Sequence, residues 1–73
     1  MNRIDELNEV IRQESASAKD YLVRAGNATR QGRKSRAMEL DLLARLCYNQ
    51  VEEAETEIKL INELGKPDSV GGL

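Results

Sequence analysis

The densest run of ionisable side chains is Glu52, Glu53, Glu55 and Glu57, the residue type that acid–base work and hard-cation binding both use. Either chemistry needs carboxylates that converge. On a helix these four spread around the axis, and only Glu53 and Glu57 lie one turn apart. The chain has no His to set against them, so the run reads as a solvated acidic face. Cys47 is the only cysteine, which excludes an intramolecular disulfide and leaves the usual zinc sets without ligands. A Ser or Cys nucleophile with an imidazole base is equally out of reach. Cys47 is expected to be a small buried apolar group. The expectation is a protein that is not an enzyme and that uses no metal or cofactor.

Two further segments suggest phosphate chemistry. Gly26, Gly32, Lys34 and Ser35 resemble a phosphate-binding loop in composition, but five residues separate the two glycines where the pattern needs four, and Arg33 interrupts the Gly-Lys step. No strand precedes the segment to hold a nest of amides. Arg33-Lys34-x-Arg36 is a short basic run of the kind that touches RNA phosphates. Against that stand a net charge of −2 and the absence of aromatic rings near the run. A solvated basic end is the preferred reading, and nucleic acid is not an expected partner. Asn27-Ala28-Thr29 matches a glycosylation pattern but reads as a helix end.

These residues must be positioned by very few elements, since 73 residues form one domain with a small core. With no Phe or Trp and only two Tyr, the apolar 40% is almost all Leu, Ile, Val and Ala, a helical palette. Ile4, Leu7, Ile11, Ala18, Leu22 and Ala25 fall on one stripe at helical spacing. Asn2 can cap this first helix, with Asp5 and Glu6 in its first turn, and Gly32 is its stop. The stripe predicts a helix over about residues 3–31. Ser35 is the expected cap of a second helix over about 36–64, whose stripe runs through Leu40, Leu43, Cys47, Val51, Ala54, Ile58, Ile61 and Leu64. Gly65 and Pro67 end it, and 66–73, without periodicity, is expected to be a flexible tail. Two such helices joined by a few turn residues give an all-α antiparallel two-helix hairpin, coiled-coil-like, of low stability alone.

A two-helix hairpin hides one stripe of each helix, yet helix 2 carries a second row, Met38, Leu42 and Leu46, about 100° around from Leu43 and Cys47. Leu60 repeats it further on, and Val10, Tyr21 and Val23 are off-stripe on helix 1. That surplus apolar surface implies binding to another protein, with Met38, Leu42 and Leu46 as the partner-binding residues. Charge is segregated too. Residues 21–45 hold six basic and two acidic groups, whereas 1–20 hold three and five and 46–73 hold two and six. In an antiparallel hairpin the turn end is therefore basic, with Arg24, Arg30, Arg33, Lys34, Arg36 and Arg45, and the open end acidic. No apolar run exceeds three residues and the first residues are acidic, so no membrane span or secretory signal is expected and the location is expected to be cytoplasmic.

The whole chain up to Leu64 resembles a family, the very small two-helix co-chaperones of type III secretion needle subunits, the YscE-like proteins. The resemblance rests on length, on the start Ile4-Asp5-Glu6-Leu7, on the mid-chain turn, and on Leu42-Leu43-Ala44 leading into Ala54-Glu55-Thr56-Glu57-Ile58-Lys59-Leu60-Ile61. That last run is similar to the Ala-Glu-x-Ile-Ile ending of some members, with an insertion here. The resemblance implies a cytoplasmic hairpin that docks on a helical-repeat chaperone, the pair keeping the needle subunit soluble and unpolymerised. It implies no catalytic residue and no cofactor. The competing expectation is a homo-oligomeric regulatory hairpin, two copies burying the same stripe as a four-helix bundle, with the basic turn as an RNA contact.

Overall fold

The computed structural model describes residues 2–65, so the expected tail at 66–73 lies outside the described residues. Two helices account for nearly all of them, α1 (Arg3–Arg30) and α2 (Lys34–Leu64), packed along their length as an all-α antiparallel hairpin. Asn2 caps α1 as its residue type favours, its side-chain oxygen accepting from the Asp5 amide at 2.8 Å. Asp5 and Glu6 then sit beside the positive end of the helix dipole.

The turn is shorter than the sequence suggests. Gly32 takes φ +76, and the Arg33 and Gly32 amides bond back to the Ala28 and Thr29 carbonyls at 2.8 and 3.0 Å, the paired bonds of a Schellman stop. Only Gln31, Gly32 and Arg33 separate the helices, and the Arg33 carbonyl already accepts the first bond of α2 from the Ala37 amide at 3.0 Å. This corrects the expected cap. Ser35 lies inside the first turn of α2, and Arg33 occupies the cap position with no side-chain hydrogen bond, because the Schellman geometry leaves the chain aimed directly into the next helix.

The packed seam also differs from the expected stripes. The buried residues are Leu7, Ala18, Ala25 and Ala28 on α1 and Ala37, Leu40, Ala44, Cys47 and Ala54 on α2. Ile4, Ile11, Val51, Ile58 and Ile61 flank them, half-buried. Leu22, Leu43 and Leu64, all placed on the expected stripes, are exposed, while Ala44 sits at the centre, 1% exposed. The reason lies in the volumes the seam holds, which are mostly those of alanine. At the turn end Ala25, Ala28, Ala37 and Leu40 form a cluster with Tyr21 against it. Small side chains fit this gap and a row of leucines does not. At the far end Arg3 reaches across to Glu57 with paired contacts at 2.5 and 3.1 Å.

The seam leaves no buried side-chain nitrogen or oxygen without a partner among the described residues, but it supplies limited energy. Among the described residues Leu7 and Leu40 are the only buried side chains larger than Cys or Ala, each contributing about 2 kcal/mol. Small backbone effects should therefore be visible. Gly26 lies within α1 with open space around a prospective Cβ, so Gly26→Ala should raise stability by about 1 kcal/mol in urea unfolding. Gly32→Ala should lower it by about 1 kcal/mol, since an L side chain at positive φ is strained.

Candidate protein-docking face

Seen along α2, Met38 and Leu42 each lie two residues from Leu40, and Leu42 and Leu46 each lie two residues from Ala44. Two residues turn a helix by about 200°. Because the seam is centred on Leu40 and Ala44, Met38 and Leu42 point almost directly away from α1, and not the quarter-turn aside that a seam through Leu43 implies, while Leu46 turns partway back toward α1. The side chains are 67%, 59% and 60% exposed. Met38 and Leu42 form a shallow depression with Asp41 and Arg45 at its edges.

Leu43 takes a different role. At 37% exposed it flanks the seam, and with Tyr21, Leu46 and Cys47 it lines an open groove between the two helices, rimmed by Glu14 and Gln50. Leu46 thus belongs both to the ridge and to this groove. Assigning Leu43 to the seam hides the groove in the sequence; the off-stripe Tyr21 is the signal for it. The Cys47 thiol at its floor is pushed above its ordinary range by burial first, and then by the facing Glu14 carboxylate. A thiol held protonated is a poor nucleophile.

The other half of the outer face is acidic. Asn49, Glu52, Glu53, Thr56, Glu57 and Leu60 line a broad open depression on α2. Its carboxylates do not gather, and among the described residues no three potential ligands are placed to hold a metal ion. Glu57 is held below the usual carboxylate range by its hydrogen bonds from Arg3, with the guanidinium charge adding to them. In α1, Glu9 is lowered in the same way by Arg12, one turn on. Across the whole hairpin, residues 17–48 carry seven basic and three acidic groups, whereas 2–16 and 49–65 together carry three basic and nine acidic. The turn half is net +4 and the open half net −6. At the turn, Arg24, Arg33 and Arg36 share a shallow depression with Asn27 and Gln31, Arg24 pairing with Asp20 and Arg36 with Glu39.

Fold and face together define a small helical hairpin with an uncovered apolar ridge and a charge gradient along its axis. No family model, curated protein or solved structure matches the chain. No helix among the described residues is long and apolar enough to cross a membrane.

Two outcomes follow from this geometry. Native Cys47 should react with iodoacetamide much more slowly than in urea-unfolded chain, a comparison that alkylation followed by mass spectrometry makes directly. The Arg3–Glu57 bridge ties stability to pH. A Glu whose folded pKa is depressed stabilises the fold above its unfolded value and ceases to as pH falls through the folded one. Thermal midpoints should therefore drop on acidification below the ordinary Glu range. Glu57→Gln should show a shallower drop from a lower neutral value, and added salt should narrow the difference between the two, since the pair is exposed.

Proposed function

We propose that this chain is a non-catalytic binding hairpin that presents the outer face of α2 to a helical partner. The observation carrying this reading is the ridge of Met38, Leu42 and Leu46, three large exposed apolar side chains, of which Met38 and Leu42 lie on the side of α2 opposite its packing against α1. Such a ridge is unfavourable in water and favourable once a second surface desolvates it. The form of the ridge suits a partner that also offers helices, because side chains four apart make a ridge that fits between those of a facing helix. On the resemblance to the YscE-like proteins, the partner is a helical-repeat chaperone. The hairpin then acts as a co-chaperone in the cytoplasm, stabilising that chaperone while the pair keeps a type III secretion needle subunit soluble and unpolymerised.

Tagged chain purified from the cell that produces it, then reconstituted with the recovered partner, tests this. The expected result is an equimolar complex with a helical-repeat protein. Leu42→Glu should weaken it roughly thirtyfold or more, because a charge is forced into a desolvated contact, while circular dichroism stays unchanged. Recovery of no stoichiometric partner, or undiminished binding by Leu42→Glu, would contradict the reading.

A further inference from the structure

The outer face of α2 is divided in a way that complements itself. Its turn half bears the apolar ridge together with Arg45, and its open half bears Glu52 and Glu53 with Thr56 and Leu60. Among the described residues neither Arg45 nor Glu53 has an ion-pair partner. Leu60 is about half exposed, as Met38 is by two thirds. We propose that a second copy of this chain covers this face, the two α2 helices running antiparallel about a two-fold axis near Asn49.

Charge selects the direction. A parallel pair would set the −6 halves against each other and the +4 halves likewise, whereas an antiparallel pair sets each +4 half against a −6 half, twice. Residue spacing selects the register. With Asn49 on the axis, Met38 meets Leu60 of the partner subunit, Leu42 meets Thr56 of the partner subunit, and Arg45 meets Glu53 of the partner subunit. The shared stretch from residue 38 to 60 is about 33 Å of helix. One like-charged approach results, Asp41 near Glu57 of the partner subunit, and there the carboxylate already carries the Arg3 guanidinium as counter-charge. A two-fold axis repeats every favourable contact. The arrangement covers Met38 and Leu42 of the ridge that the proposed function presents to a chaperone, and sets Leu46 beside Glu52 of the partner subunit. Resting on that reading, the self-paired hairpin is a storage form that must open before the partner docks.

Sedimentation of the full chain alone, in low and high salt, tests the pairing without any partner. The expected result is a dimer at micromolar concentration that weakens as salt screens the opposed halves. Arg45→Glu and Glu53→Arg should each weaken it about tenfold or more, and both changes in one chain should restore it to within about threefold, because the exchanged charges meet again across the axis. Leu42→Glu should give a monomer of unchanged helicity. A chain that stays monomeric at every concentration, a double variant no better than the single ones, or a dimer indifferent to Leu42→Glu would overturn the proposal. A monomer that still forms the equimolar chaperone complex overturns the self-pairing and leaves the proposed function standing.

Discussion

The constraint on which the rest of this hairpin depends is a seam built mostly of alanine. The Gln31-Gly32-Arg33 turn ends α1 with a Schellman stop and starts α2 within three residues. The gap that results accepts Ala18, Ala25 and Ala28 from one side and Ala37, Ala44 and Ala54 from the other. Alanine allows close approach but brings little apolar area with it, so a seam of this kind gives geometry at modest energy. The larger residues, Leu42, Leu43, Leu46, Met38 and Leu60, are left outside. The same small-residue seam therefore leaves an apolar outer face on α2.

Charge adds direction to that face. Along each helix the sign changes between the turn end and the open end, and the bridge from Arg3 to Glu57 closes the acidic end across the seam. A surface that is apolar in the middle of a charge gradient fixes orientation as well as contact, since a misoriented partner meets like charge. The basic turn fits within this scheme as one pole of the gradient, and two of its arginines, Arg24 and Arg36, already have carboxylates from their own helix.

The sequence makes the elements legible and leaves their phase ambiguous. Helical periodicity, the Asn2 cap and the Gly32 stop are local signals, each set by residues within a turn of one another, and the structure carries all three. Which stripe of α2 faces α1 is not local. Leu40, Leu42, Leu43, Ala44, Leu46 and Cys47 supply apolar residues at nearly every angle, and hydrophobicity alone favours the stripe through Leu43. The seam instead passes through Ala44, 1% exposed, because side-chain volume and not hydrophobicity alone decides which residue faces the other helix. Ser35 fails as a cap because α2 begins earlier than its residue types suggest, with Arg33 at the cap position directly after the Schellman stop. The ridge residues Met38, Leu42 and Leu46 are exposed, and the distance of Met38 and Leu42 from the seam is greater than periodicity suggests.

The central claim is that the outer face of α2 is covered in the working state of the protein. Met38 reports on it directly, because it sits on the ridge with two thirds of its surface open in the free hairpin and a thioether oxidises according to its exposure. Mild peroxide treatment followed by peptide mass mapping should find Met38 oxidised rapidly in dilute isolated chain and strongly protected in the assembly purified from the cell. Equal oxidation rates in the two states would contradict the account.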